Sequence, residues 1–231
     1  MVKRMRRAPG LMVFTIAAGL LFGPWPAGAA GQGTAALENE QLRIEVDPGN
    51  GAIARIVDKK GQAQLAPAGG LADVFRLILR GADKKNRVIL GRSQKLSKVA
   101  KADGGLDLAW SGPLIDAEGG THSLRVRMEI RLAGPTLEFR LSLHNDSPHK
   151  VVEVWYPLVG GLAGFGRGQG LGETSVMLPT ASPTIKRLAI PFGETALHYP
   201  GQMNMSYSSV FSAKASRAMY FASHDPVARL K

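Results

Sequence analysis

The chain has 231 residues, a formal net charge of +11 at pH 7 and no cysteine. The lack of cysteine excludes a disulfide framework, a thiolate nucleophile, cysteine metal ligands and an acylated cysteine anchor. The fold must therefore be held by its apolar core, and a chain of this length with 45% hydrophobic residues can form one sizeable domain.

The amino-terminal residues predict a removable secretory signal peptide. A basic segment at residues 3–7 precedes an uncharged apolar stretch at 10–22, and an Ala-Gly-Ala sequence at 27–29 supplies the small residues that signal peptidase needs. The apolar stretch is shorter than the roughly 20 residues that span a bilayer. We therefore expect a signal peptide over residues 1–29, and a mature domain over residues 30–231 that is periplasmic or secreted and has no stable membrane span.

From residue 37 onward, apolar residues alternate with polar ones, which is typical of β-strands. Leu42, Ile44 and Val46 form the first such row, and Asn50-Gly51 after it favours a turn with positive φ. Turn residues interrupt nearly every later interval, and no stretch of ten residues after the signal peptide has a convincing helical period. The pattern predicts an all-β fold, a large antiparallel β-sandwich. Further strands are predicted at 53–57, 74–79, 87–90, 106–110, 151–156, 185–190 and 219–222.

The clearest hairpin is predicted between residues 124–132 and 137–143. Apolar residues occupy alternate positions in both segments, and the four-residue loop at 133–136 places Leu132 opposite Leu137. In this register two opposite-charge pairs lie on the outer face, each contributing about 0.2–1 kcal/mol. These pairs are Arg131 with Glu138 and Glu129 with Arg140.

A run of cations between residues 84 and 101 has the charge to bind an acidic polysaccharide or a nucleic acid. No aromatic residue lies among these cations, so a stacking groove for single-stranded nucleic acid is not predicted. A solvated strand face and loop is the simpler interpretation. We expect no nucleic-acid partner, and an envelope protein that binds acidic polysaccharide through this face stays an alternative. The cations are Lys84, Lys85, Arg87, Arg92, Lys95, Lys98 and Lys101.

Three segments carry a recognisable pattern: residues 37–61, the sequence EVWYPL at 153–158, and residues 199–226, which end in His-Asp-Pro. They resemble the opening hairpin, an aromatic-proline strand end and the closing stretch of the galactose-mutarotase-like supersandwich domains of bacterial glycoside-hydrolase-like proteins. The resemblance implies a non-catalytic, carbohydrate-associated module with a (β/α)8 barrel as its partner, in the same chain or from an adjacent gene. In those proteins the barrel begins shortly after the His-Asp-Pro segment, so we expect a product truncated before its barrel or a stand-alone sandwich.

Enzymatic alternatives need side chains that the fold must bring together. A glycosidase uses two carboxyl groups about 5–10 Å apart. An aldose epimerase, an activity known in the fold class that the resemblance implies, would use a histidine acid and a carboxylate base. The acids and histidines are scattered and show no metal-ligand spacing, so we predict no catalytic residue, metal or cofactor, with aldose-epimerase-like activity as the alternative. The acids are Asp116, Glu118, Glu153, Glu173, Glu194 and Asp225; the histidines are His122, His144, His149, His198 and His224.

Aromatic side chains supply most of the contact in simple sugar recognition, and this chain has only 6% of them. Trp155 is the leading candidate because it lies near a predicted strand end, beside the glycine-rich segment 160–172, where the sites of β-sandwiches often open. Tyr156 and Trp110 complete the predicted carbohydrate-binding set. The alternative for Trp155 is a place in the core.

Overall fold

A computed structural model describes residues 35–61, 63–66, 73–102, 104–162, 165, 173–180, 184–187 and 202–223. Over these residues the chain is all-β, with antiparallel pairing between its strands and one short 3-10 helix, so the predicted fold class is confirmed. This part of the chain has no helix that is long and apolar enough to cross a membrane. The predicted signal peptide lies outside the described residues. Two compact units, which divide after Leu162, are described separately below.

The first unit, Ala35–Leu162, contains four antiparallel sheets in its described part. Their strand orders are β1-β2-β3-β4, β12-β11-β8-β7, β13-β5-β6 and β10-β9. A 3-10 helix at Gly91–Ser93 follows β6. The strands are β1 (Ala35–Glu38), β2 (Leu42–Val46), β3 (Ile53–Asp58), β4 (Ala63–Ala66), β5 (Arg76–Arg80), β6 (Asn86–Leu90), β7 (Lys98–Ala102), β8 (Gly105–Trp110), β9 (Leu114–Ile115), β10 (Thr121–His122), β11 (Leu124–Ala133), β12 (Thr136–Asn145) and β13 (Lys150–Trp155).

The hairpin of β11 and β12 has the predicted register. Leu132 lies opposite Leu137, and the two predicted opposite-charge pairs face each other across the strands. The inward side chains of β11 are buried, as alternation along a strand requires. The outer face is also linked to β8, because Arg127 forms a 3.1 Å ion pair with Asp107 and a 3.4 Å pair with Glu129 on its own strand.

Trp110 is the last residue of β8, and its side chain is completely buried. Its ring packs edge-on against Phe75 with the centroids 5.0 Å apart, and its Nε1 donates a hydrogen bond to the carbonyl oxygen of Asn50 at 3.2 Å. The predicted turn is present here, with Gly51 at φ 81°. A Cβ at Gly51 would lie 2.4 Å from Cζ2 of Trp110, so the indole packs directly against the turn backbone.

The second unit, Ala163–Leu230, has one described sheet of order β15-β14-β16-β17. Burial alternates along β16, where Ser208, Val210 and Ser212 face inward. The predicted strand at 219–222 lies within β17; of the one predicted at 185–190, only the first three residues are described. The strands are β14 (Ser175–Leu178), β15 (Thr184–Arg187), β16 (Tyr207–Ser212) and β17 (Arg217–Ala222).

Candidate functional site

The candidate site lies in the first unit, where β5 begins and β13 ends. The two strands pair antiparallel, so that Arg76 lies opposite Trp155, and Asp73 forms an isolated β-bridge with Leu158. The pairing brings together side chains that are far apart in the sequence. We call the group of Asp73, Arg76, Glu153 and Trp155 the β5–β13 cluster.

Trp155 is half-buried and is held at its edge and on its face. Its Nε1 donates a 2.9 Å hydrogen bond to Oε2 of Glu153, which is two residues earlier and therefore on the same side of β13. The guanidinium carbon of Arg76 lies 5.0 Å from the centre of the indole, within the range of a cation–π contact. The ring is thus fixed in place while part of it stays open to solvent.

Asp73 is a buried carboxyl, only 5% exposed, with one bonded and one unbonded oxygen. Its Oδ1 accepts a 2.8 Å hydrogen bond from the amide of Arg92, while its Oδ2 is buried without a partner. Burial raises the pKa of Asp73, and the amides of Arg92 and Gly91 together with the charges of Arg92 and Arg76 offset this only in part. Carboxyls with raised pKa values are concentrated at functional sites, which makes Asp73 a candidate.

Arg76 also carries an unbonded polar atom, because its Nε is buried and has no hydrogen-bond partner. A buried donor or acceptor left without a partner costs about 1–3 kcal/mol. The cluster therefore contains one unpaired donor and one unpaired acceptor beside a fixed aromatic ring. Unpaired groups of this kind need an explanation, and binding of a polar ligand supplies one.

A second pair of titratable side chains lies on the β9–β10 hairpin of the same unit. Nε2 of His122 lies 2.8 Å from Oδ2 of Asp116, and the two side chains are only 5% and 4% exposed. Oδ1 of Asp116 accepts hydrogen bonds from the backbone amides of Glu118, at 2.9 Å, and Gly120, at 2.8 Å. Burial acts to raise the pKa of Asp116, but the hydrogen bonds from His122 and the two amides outweigh it, so the pKa lies below its usual range.

This pair brings a histidine and a carboxylate within hydrogen-bond distance, as an aldose epimerase would require. However, both side chains are enclosed, and the oxygens of Asp116 are occupied by His122 and by amides of its own loop. The interaction links the start of the loop after β9 to the end of β10, and we interpret it as a structural clasp.

The structure places the predicted sugar-binding residues in different surroundings. Trp110 is a core residue, and its completely buried ring offers no face to a ligand, so we correct its assignment. Trp155 lies in the cluster, and Tyr156 follows it, half-buried, ahead of a cis peptide bond to Pro157. Sequence reasoning missed Asp73 and Arg76, because their proximity to Trp155 depends on the pairing of β5 with β13.

The other predicted candidates do not join this cluster. Glu118 and Glu173 are exposed, and His144 bonds Asp146 at 2.9 Å on the surface. In the cation run, Arg87 pairs with Asp83 at 2.7 Å and the remaining six cations are exposed. Within the described ranges, no three His, Cys, Asp or Glu side chains are grouped to hold a metal ion. Glu194, Asp225, His198 and His224 lie outside the described residues.

No protein-family model matches this chain, and it has no significant match among curated proteins. The resemblance to supersandwich domains therefore stays a prediction. The function has to be inferred from the geometry and chemistry of the β5–β13 cluster.

Proposed function

We propose that the chain is a non-catalytic, carbohydrate-binding β-sandwich module of an exported glycoside-hydrolase-like protein, with Trp155 at its sugar-contacting surface. The observation that carries this proposal is an indole ring that is fixed on two sides and still partly exposed. A ring that is already immobilised loses little conformational entropy when a ligand packs against it. Polar groups at its rim are suited to bind hydroxyls, as in sites where a few polar groups orient a ligand on an apolar surface.

The carboxyl groups of the cluster support binding rather than hydrolysis. Hydrolysis of a glycoside needs two carboxyls that flank the sugar, about 5–10 Å apart. Here Glu153 accepts the indole N–H of Trp155, and Asp73 is buried with one oxygen on a backbone amide. Neither group is presented to a substrate as a free acid or nucleophile.

Two parts of the proposal rest on the sequence alone. Export follows from the signal-peptide pattern of residues 1–29, which predicts a periplasmic or secreted protein. The partnership with a (β/α)8 barrel follows from the resemblance of residues 37–61, 153–158 and 199–226 to supersandwich domains. A barrel encoded in the same chain or by an adjacent gene would be the catalytic partner.

The test is a glycan-array screen on the purified, exported chain, with Trp155→Ala alongside. We expect binding to a defined set of glycans that Trp155→Ala weakens about five- to tenfold, since an aromatic contact in a ligand site contributes about 1–1.5 kcal/mol. The control is Tyr220→Ala, which removes an aromatic side chain that is 59% exposed in the second unit. Circular dichroism establishes that both variants keep the β fold.

Two outcomes would contradict the proposal. One is the absence of binding to any glycan, which would leave the chain without autonomous sugar recognition. The other is binding that Trp155→Ala does not change. Affinity confined to anionic glycans and falling steeply with salt would point instead to the exposed cations between residues 84 and 101.

A further inference from the structure

The β5–β13 cluster contains two unbonded polar atoms of complementary kind. Nε of Arg76 is a donor without an acceptor, and Oδ2 of Asp73 is an acceptor without a donor. The two residues are three positions apart where β5 begins, and Arg76 also contacts the ring of Trp155. A ligand group that both donates and accepts a hydrogen bond fits this pair.

We propose that Asp73 and Arg76 recognise hydroxyl groups of an uncharged sugar ring at Trp155, and that the site therefore selects neutral over acidic sugars. This inference rests on the proposed function and names its ligand class. A hydroxyl donates one hydrogen bond and accepts others, so one hydroxyl or two neighbouring ones satisfy both residues. A sugar carboxylate would satisfy Arg76, but it would bring a second negative charge to Asp73.

The local backbone is built around Asp73, which argues against an accidental surface cluster. Gly91 is buried, and a Cβ at this position would lie 3.1 Å from Oδ1 of Asp73 and 3.0 Å from the carbonyl oxygen of Phe75. The glycine therefore allows the backbone to pass close to the carboxyl, and the next amide, that of Arg92, bonds it. One oxygen of Asp73 is thus held by the backbone, and the other is left for a ligand.

The unbonded atoms are closed to solvent, so a ligand reaches them only if a neighbouring side chain moves. Arg76 is the side chain best able to do so, because its guanidinium forms no ion pair with the described residues and contacts the face of Trp155. Moving the guanidinium uncovers that indole face at the same time. The sugar ring would then replace the guanidinium on Trp155, while Arg76 donates to a hydroxyl at the rim.

The experiment measures affinities for matched pairs of neutral hexose and hexuronate oligosaccharides of equal length and linkage. The variants are Asp73→Asn, which keeps the shape of the side chain, and Arg76→Met, which keeps its apolar stem but removes its donors. We expect the wild type to bind the neutral member at least about tenfold more tightly, and each variant to weaken this binding about ten- to hundredfold. The control is Arg80→Met at the other end of β5, which should leave the affinity unchanged.

The outcomes separate this inference from the proposed function. Preference for the hexuronate member, or neutral-sugar binding that survives both Asp73→Asn and Arg76→Met, would overturn the hydroxyl pair and leave a sugar site at Trp155. Absence of binding to every glycan would overturn both proposals. If Asp73→Asn does not fold, as judged by circular dichroism, Arg76→Met carries the test alone, because it removes the donors of Arg76 and leaves the Asp73 carboxyl in place.

Discussion

Two aspartates of the first unit, Asp116 and Asp73, have almost equal exposures as whole residues, 7% and 5%, but the pKa values of their carboxyls shift in opposite directions. Asp116 bonds His122 and two amides of its own loop, and its pKa is lowered. Asp73 has one oxygen bonded and one unbonded, and its pKa is raised. The hydrogen bonds to Asp116 outweigh its desolvation, whereas those to Asp73 do not.

The two tryptophans of the same unit repeat this contrast. Trp110 is enclosed by Phe75 and by the turn at Gly51, and its N–H bonds a backbone carbonyl. Trp155 is half-buried, and its contacts are with the charged side chains of Arg76 and Glu153. Trp110 is therefore a core residue, whereas Trp155 is a half-buried residue at the site that we propose.

The largest expected difference between the two regions is in the cost of removing each indole. Trp110→Ala leaves a large cavity and should lower the free energy of unfolding by about 3–5 kcal/mol. Trp155→Ala removes mainly a partly exposed cation–π contact and a hydrogen bond, and should cost about 1 kcal/mol. Urea denaturation followed by circular dichroism measures both values. Equal costs for the two variants would show that Trp155 is a core residue, contrary to its place in the proposed site.

The next effect concerns the clasp at Asp116. Asp116→Ala leaves the amides of Glu118 and Gly120 and the ring of His122 without their acceptor, and should lower the free energy of unfolding by about 3 kcal/mol. Asp83→Ala, which removes an exposed carboxylate paired with Arg87, is the matched control and should change stability little. A clasp variant as stable as the control would contradict the structural role of the Asp116–His122 pair.

The smallest effect is the pH dependence of stability, and it should have opposite sign at the two carboxyls. Because the pKa of Asp73 is raised in the folded state, ionisation of its carboxyl destabilises the fold. The wild type should therefore lose stability relative to Asp73→Asn as the pH rises from the ordinary carboxyl pKa to the pKa of Asp73 in the folded state. The pKa of Asp116 is lowered in the folded state, so its carboxylate contributes stability at pH values above the ordinary carboxyl pKa. That stability is lost as the pH falls through the pKa of Asp116 in the folded state.

Urea titrations of wild type, Asp73→Asn and Asp116→Asn over about pH 3 to 7 measure this difference. At pH 7 we expect Asp73→Asn to be as stable as the wild type or more stable, and Asp116→Asn to be less stable, with both differences shrinking in acid. If both variants differ from the wild type in stability with the same sign at neutral pH, the opposite pKa shifts of Asp73 and Asp116 are contradicted.

The parts of the fold that the sequence predicts are those fixed by local pattern. The register of β11 and β12 follows from period-two alternation and a short loop, and the turn before Ile53 follows from Gly51. Short strands such as β9 and β10 have two residues each, too few for alternation to be recognised. The pairing of β13 with β5 also has no local signal in the sequence, because most of the first unit lies between these two strands.

Of the residues in the candidate site, the sequence predicts only the aromatic one, Trp155. Trp155 stood out by its place near a strand end and a glycine-rich segment, but nothing near Asp73 or Arg76 in the sequence indicates an unbonded donor and acceptor. Trp110 was misassigned for the same reason, since its burial depends on Phe75 and the turn at Gly51. The Asp116–His122 pair is local, and the Gly119-Gly120 turn between them was the signal that could have revealed it.

The pairing of β5 with β13 also has a consequence for how the site forms. Joining Arg76 to Trp155 closes a loop that contains every strand from β6 to β12, and such long-range pairing carries a larger entropy cost than a hairpin. The local β11–β12 hairpin can form early, whereas the β5–β13 cluster assembles only when the chain between its strands is already compact. A ligand of this cluster would bind completed molecules and not folding intermediates, and so would favour the finished fold by mass action.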